Sequence, residues 1–361
     1  MAKPSRRGRG AITIEDVARE VGVSAMTVSR VINKGANVRE STRAAVLEAI
    51  ERLNYSPNTA ARSLAAGQVT HIGLLYANPS AGYLSQFLIG ALHAARSAGV
   101  HLVIESCESE DADEQAEVTR RFATSDVEGV ILPPPLSEAQ PIMVELEAME
   151  IPVVTIARGA PHDGGLNVRI DDHAAAKEMT QYLLDLGHRN IGFIKGHPKI
   201  IASQDRFRGF CDALEEAGLD CDKVAVEQGY FSYRSGLIAG ERLLSREDRP
   251  TAIFASNDDM AAATVSVAHR MGLDVPQDLS IVGFDDTALA TSVWPELTTV
   301  KQPIAAMAEA ALELLIADLR SRYAGTPSKF GERVLSHAMI IRESSGPPPG
   351  EKKARSRKKT G

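Results

Sequence analysis

Val23–Asn33, which reads VSAMTVSRVIN, carries the clearest chemical pattern in the sequence. A helix over these residues turns Val28, Val31 and Ile32 inward, because they recur at helical spacing. The residues that this leaves free of packing are Ala25, Met26, Thr27, Ser29, Arg30 and Asn33. Small side chains at the start of a helix let it approach a DNA groove closely, and an arginine one turn later can pair with a guanine edge. The pattern therefore favours base reading in the major groove.

The preceding residues predict a helix that would position this one. Thr13 stands three residues before Asp16, a capping-box-like start, and Gly22 can take the left-handed backbone that ends a helix. Ser24 suits the N-cap of the second helix, since its hydroxyl can accept the amide proton of Thr27. Two such helices form either a generic two-helix corner or a helix-turn-helix unit, and these residues alone leave both open.

A third helix and a short fourth one are predicted next. The apolar residues that indicate the third helix are Val46, Leu47, Ile50 and Leu53. Pro57 ends that helix, and Asn58 can cap a new one that runs to Leu64. Isolated helices need about 12–15 residues to be stable. We therefore expect this hinge helix to fold only where two copies of the chain meet on DNA.

Four motifs in this segment resemble those of the lactose-repressor (LacI) family of bacterial regulators. They are ITIEDVA, VS-x-x-TVSRVIN, the TR of Thr42-Arg43 and Y-x-PN-x-x-ARSL. The resemblance implies that Ala25, Met26 and Arg30 read bases, and that Leu64 is an apolar wedge in the minor groove. Arg39 departs from the family, where many members have a Ser or Thr cap. The predicted DNA contacts are Thr13, Ile14, Ser24, Ala25, Met26, Thr27, Ser29, Arg30, Asn33, Asn58, Ala61 and Leu64.

Charge is strongly partitioned along the chain, although the net charge is only -7. Residues 1–66 hold 11 basic and 6 acidic side chains, and residues 346–361 hold 6 and 1, so each end carries +5. The middle, residues 67–345, carries 23 basic and 40 acidic side chains, or -17. An acidic body is repelled from DNA, which favours contact through the N-terminal segment.

Composition and cysteine usage indicate an ordinary globular protein. No apolar run approaches the roughly 20 residues of a membrane-spanning helix, and the N-terminus lacks an apolar signal region. We therefore expect a bacterial protein of the cytoplasm, associated with the nucleoid and without a membrane partner. Cys107, Cys211 and Cys221 have no metal-ligand spacing and are expected to be idle or buried reduced thiols.

After residue 69 the sequence alternates apolar strands with helices. Ile72–Leu75 begins the pattern, which restarts near Asn167 and continues through helices predicted over Arg206–Ala217 and Met260–Met271. Such alternation predicts parallel sheets covered by helices on both faces. There are too many units for one comfortable sheet, so we predict two doubly wound parallel-sheet lobes. Ligands of such folds bind at the carboxyl ends of the strands.

The resemblance extends to this part through LGHRNIGFIKG, FASNDDMA, SIVGFDD and P-x-LTTVKQP, and it implies the periplasmic-binding-protein-like fold of the LacI effector domain. Carboxylate and guanidinium groups can make paired bonds to neighbouring sugar hydroxyls, and aromatic faces stack on sugar rings. Phe231 and Tyr233 suit the aromatic role. The first-lobe loop NPSAGY departs from the family's usual NPFF-like form. The predicted effector contacts are Asn78, Tyr83, Arg206, Phe231, Asn257 and Asp285.

Four residues of these motifs and loops also have a purely structural interpretation. Asp258 and Asp286 can cap helices, Arg206 can form a surface ion pair, and Phe231 can belong to a lobe core. His188 begins a strand, and we expect it to bond a turn rather than to serve catalysis. The sequence has no nucleophile elbow, no GxGxxG after the first strand and no His/Glu cluster at metal spacing. We therefore expect no enzyme, no catalytic residue, no cofactor and no metal.

The predicted domain order is a disordered basic arm (1–11), a helix-turn-helix domain (12–57), a hinge (58–68), a two-lobed effector and dimerisation domain (69–343) and a disordered basic tail (344–361). The hypothesis is a homodimeric repressor on a near-palindromic double-stranded DNA operator, controlled by a mono- or oligosaccharide in the cleft. An activator or a corepressor-dependent regulator of the same family is the alternative. A solute-binding protein of transport and a nucleoid protein are more remote.

Overall fold

The computed structural model describes residues 14–32, 39–53, 70–159, 165–325 and 331–350. The chain divides into two compact units, Met1–Val69 and Thr70–Gly361. Both have their own hydrophobic core, as expected for separate domains.

The first unit is a three-helix unit made of α1 (Ile14–Val21), α2 (Ala25–Ile32) and α3 (Glu40–Arg52). Gly22 has a φ of +72°, so it supplies the left-handed turn between α1 and α2. The buried core consists of Val17, Ala18, Val28, Val31, Val46 and Ala49. This arrangement confirms the helix-turn-helix prediction, with the third helix packed on the first two.

The second unit alternates strands and helices. In chain order these are β1 (His71–Tyr76), α4 (Ala81–Ala98), β2 (His101–Ser106), α5 (Ala112–Ala123), β3 (Gly129–Leu132), α6 (Gln140–Ala148), β4 (Val153–Ile156), β5 (Leu166–Ile170), α7 (Asp172–Asp185), β6 (Ile191–Lys195), α8 (Ile201–Glu216), β7 (Val226–Gln228), α9 (Tyr233–Leu244), β8 (Ala252–Ala255), α10 (Asp258–Arg270), β9 (Ser280–Asp285), β10 (Thr298–Lys301), α11 (Ile304–Tyr323), β11 (Glu332–Leu335) and β12 (Ala338–Ile340). None of the helices in the described ranges is long and apolar enough to cross a membrane.

Two sheets divide this unit into two lobes. The first lobe has the order β11-β5-β4-β3-β1-β2, and its paired strands are all parallel. The second has the order β12-β10-β9-β8-β6-β7, in which β12 runs antiparallel to β10. The chain passes between the lobes after β5, after β10 and after β11. This confirms the two-lobed α/β prediction. The structure also shows that α11 and β11, which follow the second-lobe strand β10, belong to the first lobe.

The central strands are buried because helices cover both faces of each sheet. Ile131 and Leu132 of β3 and Ile253 and Phe254 of β8 are fully buried. Phe254 packs against Phe193 of β6 with the ring centroids 5.2 Å apart. Consecutive residues of a strand point to opposite faces of the sheet, so the burial of both members of each pair shows that both faces are covered.

Two helices begin earlier than the sequence predicts. The sequence places Arg206 at the start of its helix, but α8 begins at Ile201, so Arg206 lies in the second turn. The segment between Pro198 and Arg206 contains no helix breaker, which explains the extension. Similarly, α10 begins at Asp258 rather than Met260, because the Asn257 side chain accepts the Met260 amide proton as N-cap.

The expectation of three reduced cysteines is wrong for two of them. Cys211 on α8 and Cys221 in the following 3-10 turn form a disulfide, with their Cα atoms 5.3 Å apart. The turn at Gly218 folds the chain back so that these side chains meet, which a separation of 10 residues does not reveal. Cys107 is a free, buried thiol.

Residues just beyond 343 pack on the second lobe, although the sequence places them in the tail. Ser344 is fully buried, where its hydroxyl accepts the Thr298 amide proton at 2.9 Å. The Gly346 carbonyl lies 2.8 Å from Nε2 of His188, which is also fully buried. His188 thus serves to hold this segment against the second lobe.

Candidate DNA-reading helix and ligand cleft

Helix α2 presents an exposed side opposite its buried valines. Met26 is 65% exposed and Arg30 is exposed one turn later, so both lie on the same face. Ser24 caps the helix through the Thr27 amide at 3.2 Å, as predicted, and the two hydroxyls also meet at 2.9 Å. Ala25 and Thr27 are half-buried.

The remaining predicted DNA contacts are only partly covered by the structure. Ile14 begins α1 and Ser29 lies within α2. Thr13, Asn33, Asn58, Ala61 and Leu64, together with the whole predicted hinge, lie outside the described residues. Their roles stay predictions.

The second unit brings all six predicted effector residues to one cavity between the lobes. The cavity has a volume of about 60 Å³, and we call it the inner compartment. Asn78 and Tyr83 come from the first lobe. The second lobe contributes the other four predicted residues, Arg206, Phe231, Asn257 and Asp285.

Arg206 is the centre of the polar cluster in this cavity. Its Nε donates to Asp172 Oδ1 at 2.8 Å, and its Nη1 donates to the Ser256 carbonyl at 2.6 Å. The guanidinium lies 3.6 Å from the Phe284 ring centroid and 3.9 Å from Asp285 Oδ1. Because the side chain is buried, the surface ion-pair interpretation of Arg206 is wrong.

The carboxylates beside Arg206 are held away from water. Burial raises the pKa of Asp285 well above its ordinary value, and the nearby Arg206 lowers that pKa only in part. Burial likewise raises the pKa of Asp172 against the opposing effect of Arg206. Asp285 also accepts a hydrogen bond from Gln302 Nε2 at 2.6 Å. These groups are therefore fixed in place and poorly hydrated.

Asn257 and Phe231 hold each other in position. The Asn257 Oδ1 accepts the Met260 amide proton at 3.0 Å, and its Nδ2 donates to the Phe231 carbonyl at 2.9 Å. Phe231 has a φ of +59°, a left-handed conformation that this bond helps to maintain. Most of the hydrogen-bonding capacity of Asn257 is therefore used within the protein.

The helix-cap interpretation of Asp258 and Asp286 is wrong. Asp258 accepts hydrogen bonds from the Thr287 amide at 2.7 Å and from the Thr299 hydroxyl at 2.6 Å. Burial raises the pKa of Asp258 to about 7, although those hydrogen bonds act in the opposite direction. Asp286 instead accepts from Arg342 at 2.6 Å. Both carboxylates therefore bond to segments distant in the chain rather than cap helices.

On the first-lobe side of the cavity, a buried polar group lacks a hydrogen-bond partner among the described residues. The buried Tyr83 hydroxyl has no hydrogen-bond partner within the described parts of the chain. Burial raises the pKa of Tyr83. Asn78 donates to the Pro134 carbonyl at 3.1 Å and accepts from the Ser80 amide at 2.9 Å.

The sequence interpretation chose one wrong aromatic residue and missed several lining residues. Tyr233 begins α9, bonds Ser266 and does not line the cavity, which Tyr230 lines instead. Gln302 also lines the inner compartment, and Asp172 holds Arg206. Asp172 and Gln302 closely follow β5 and β10, so the strand-end rule applied to every strand would have found them.

Hydrogen bonds and ion pairs also join the two lobes. Ser80 donates to Asp259 Oδ2 at 2.6 Å, and Lys199 pairs with Glu110 at 2.9 Å. The lobes are therefore connected directly by side-chain contacts. Among the described residues, no group of His, Cys, Asp or Glu side chains could hold a metal ion.

Comparisons with known proteins agree with this architecture. Residues 13–58 match the model of the lacI family of bacterial regulatory proteins, and residues 180–345 match that of the periplasmic binding protein-like domain. Catabolite control protein A of Priestia megaterium is 36% identical over 305 residues, covering 84% of this chain and 91% of that protein. The repressor PurR of Pectobacterium carotovorum is 35% identical over 314 residues, covering 86% and 91%.

Solved structures show the same likeness. The complex of the transcriptional regulator CelR with cellobiose has a TM-score of 0.70 at 31% identity, covering 92% of this chain and 100% of that one. The Lac repressor dimer bound to operator and the anti-inducer ONPF has a TM-score of 0.69 at 25% identity, covering 93% and 100%. This chain therefore belongs to the lacI family of bacterial regulatory proteins, whose members are DNA-binding transcriptional regulators.

Proposed function

We propose that this repressor binds a near-palindromic operator as a homodimer and that a neutral sugar between the lobes controls this binding. The observation that carries the proposal is the buried Arg206, held between Asp172 and Asp285 where the two lobes meet. Burying three ionisable groups is costly unless they are paired or used in binding. Their position at the cavity favours binding.

The chemistry of the inner compartment suits hydroxyl groups. A guanidinium donates paired hydrogen bonds and a carboxylate accepts them, so Arg206 and Asp285 can together engage neighbouring hydroxyls. Phe231 offers an aromatic face to the apolar side of a sugar ring. The unsatisfied Tyr83 hydroxyl can bond a further ligand oxygen. An anionic ligand is disfavoured, because two carboxylates stand beside one cation.

The same features support a binding site rather than a catalytic one. Arg206 and Asn257 make their hydrogen bonds largely within the protein. We therefore propose that the cleft senses a ligand without converting it, and that the protein acts in the cytoplasm on nucleoid DNA. The cellobiose bound to CelR is consistent with a sugar effector.

We propose that ligand binding reaches DNA through the relative position of the lobes. Bonds such as Ser80–Asp259 connect the lobes, so a ligand between them can change their spacing, and we expect this change to alter operator affinity. Such couplings typically amount to about 1–3 kcal/mol, or about 5–150-fold in affinity. A ligand that loosens operator binding is an inducer, and one that tightens it is a corepressor.

For DNA reading we propose α2 as the recognition helix, with Met26 and Arg30 reading bases. Substituting Arg30 by Ala should cost about 1–3 kcal/mol of operator binding and relax the base preference. Leu64→Ala should weaken operator binding while leaving sugar affinity nearly unchanged, because it would remove the minor-groove wedge. Equal operator affinity of Leu64→Ala and the parent would contradict the wedge.

The test is to select operator fragments from random DNA with the purified full-length chain and then measure their release by sugars. We expect at least one sugar to change operator affinity by about 5–150-fold. Arg206→Met should abolish this response, whereas the exposed neighbour Arg208→Met should keep it. A chain that binds random DNA as tightly as any selected fragment would contradict the proposal, as would unchanged affinity with every sugar.

A further inference from the structure

A second and larger cavity adjoins the inner compartment. Its volume is about 640 Å³, against about 60 Å³ for the inner compartment, and we call it the outer compartment. Gln115 and Glu138 line it from the first lobe, while Lys199 and Ser232 line it from the second. The six predicted effector residues do not include any residue that lines only this compartment.

The two compartments share part of their lining. Asn78, Pro79 and Pro135 of the first lobe line both of them, as do His197 and Tyr230 of the second. A ligand that fills the inner compartment and extends past these residues would enter the outer one. Sites for drug-sized ligands typically measure about 300–1,000 Å³. The inner compartment is well below that range and the outer one is within it.

Glu138 gives the outer compartment an unsatisfied acceptor. It ends the 3-10 helix Leu136–Glu138 that follows β3, and its side chain is only 12% exposed. Arg158 Nε lies 3.9 Å from Glu138 Oε2, but Oε1 is buried with no hydrogen-bond partner in the described ranges. A buried acceptor without a donor is costly. A ligand hydroxyl would supply the missing donor.

Tyr230 gives the same region an aromatic face. It is 48% exposed and lies edge-on to His197, with the ring centroids 5.6 Å apart. The Ser235 hydroxyl accepts the Tyr230 amide proton at 2.9 Å, which fixes the backbone beneath the ring. An exposed ring on a fixed backbone suits stacking on the apolar face of a second sugar ring.

The charge of the outer compartment limits what it can accept. Glu108, Glu110 and Glu138 line it together with one lysine, Lys199, which is paired with Glu110 across the lobes, and Arg158 lies 3.9 Å from Glu138. The three carboxylates therefore outnumber these two cations. A phosphate or carboxylate on the ligand would meet this acidic surface unfavourably. A neutral polyhydroxylated extension would not.

We propose that the outer compartment is a second sugar subsite and that the effector is a neutral saccharide of at least two rings. This inference rests on the sugar-controlled function proposed above and specifies the size of the ligand. One ring lies against Arg206, Asp285 and Phe231, and the next stacks on Tyr230 and donates a hydroxyl proton to Glu138 Oε1. A ligand placed in this way contacts both lobes along the whole cleft.

The test compares disaccharides with their own monosaccharides by calorimetry on the full-length chain. The pairs are cellobiose, maltose and trehalose against glucose, and lactose against glucose and galactose, with glucose 6-phosphate as the anionic probe. We expect at least one disaccharide to bind about tenfold or more tightly than its monosaccharides, which is the scale of one aromatic contact. Glucose 6-phosphate should bind no better than glucose.

Variants then assign the difference to the outer compartment. Glu138→Gln, at a residue that lines only the outer compartment, should remove most of the disaccharide preference while changing monosaccharide affinity less than about twofold, well under the scale of one contact. Tyr230→Ala should lower disaccharide affinity more than monosaccharide affinity, because Tyr230 lines both compartments. Tyr233→Ala is the matched control, because Tyr233 lies three residues away, bonds Ser266 and lines neither compartment. Thermal melting of each variant checks that the lobes remain folded.

The outcomes separate this inference from the function on which it rests. Monosaccharides that bind as tightly as disaccharides and release the operator would overturn the second subsite and leave sugar control intact. Equal losses for both sugar sizes in Tyr230→Ala would also overturn it, as would preferred binding of glucose 6-phosphate. If none of the sugars binds, the sugar-controlled function itself fails, and the second subsite fails with it.

Discussion

The two lobes present different surfaces to the ligand cavity. On the second lobe, Arg206 and Asn257 are buried and bonded to protein groups on several sides. On the first lobe, the Tyr83 hydroxyl and Glu138 Oε1 are buried without a bonded partner among the residues described. A preorganised surface orients a ligand at little cost, whereas an unsatisfied surface gains most when the ligand arrives. The second lobe thus suits holding the ligand, and the first lobe suits responding to it.

The largest expected change in the free energy of unfolding is at Arg206, the centre of the polar cluster on the second lobe. Arg206→Met leaves Asp172 and Asp285 buried without their cation, so it should lower the free energy of unfolding by about 3–5 kcal/mol. Urea denaturation of the full-length chain measures this change. The matched control is Arg208→Met on the same helix, whose exposed pair with Asp205 should matter by less than about 1 kcal/mol. Equal midpoints for the two variants would show that the second-lobe cluster is not preorganised by Arg206.

The next largest change in the free energy of unfolding is expected at a hydrogen bond that joins the two lobes. Ser80 of the first lobe donates to Asp259 of the second at 2.6 Å. Because the acceptor is a carboxylate, this bond should contribute about 1.5–3 kcal/mol. A double-mutant cycle of Ser80→Ala and Asp259→Ala, measured by unfolding, isolates the coupling from the role of Ser80 as cap of α4. Additive single effects would mean that the lobes do not stabilise each other here.

How much of this structure the sequence predicts depends on whether a feature follows from local patterns or from contacts between distant segments. The helix-turn-helix unit and the two α/β lobes follow from helical spacing, glycine and capping signals and strand alternation, which are local. The six effector residues were predicted from their position after strands and from family motifs, and they do meet in one cavity. Local patterns suffice to predict these residues because the carboxyl ends of parallel strands meet at one edge of the sheet.

The remainder depends on contacts between distant segments. The roles of Asp258 and Asp286 come from partners 29 and 56 residues away, which no local pattern shows. The Cys211–Cys221 bridge depends on the turn after α8. Tyr230 and Tyr233 lie in the same short stretch, and only the start of α9 at Tyr233 decides which ring lines the cavity. Unsatisfied atoms such as Glu138 Oε1 are likewise visible only once the chain is folded.

The free energy of unfolding should depend on pH, because the Asp258 carboxyl of the second lobe is buried. The pKa of Asp258 is raised by burial to about 7, so the folded chain binds this proton more tightly than the unfolded chain does. The stability that the proton contributes is complete below the unfolded pKa of about 4 and is lost as the pH rises to about 7. Asp258→Asn should therefore gain stability relative to the parent between pH 5 and 7, at no more than about 1.4 kcal/mol per pH unit.

A surface carboxylate provides the control for this titration. The hydrogen bond from Arg246 lowers the pKa of Asp248, so any contribution from Asp248 is lost only as the pH falls. Asp248→Asn should therefore track the parent between pH 5 and 7 in the same urea titrations. A parallel course for Asp258→Asn would show that Asp258 is not the group that titrates.

The smallest effect on stability is expected on the first lobe, at Tyr83. Tyr83→Phe removes a hydroxyl that bonds nothing in the described structure, so unfolding should be unchanged or up to about 1 kcal/mol harder. Tyr182→Phe is the comparator, because its hydroxyl bonds Ser345 at 2.8 Å and its loss should cost about 1 kcal/mol. For the sugar that releases the operator, Tyr83→Phe should weaken binding about tenfold, the value of one ligand hydrogen bond. Loss of stability in Tyr83→Phe with unchanged sugar affinity would mean that the first lobe is as saturated as the second, and the distinction between a holding and a responding surface would fail.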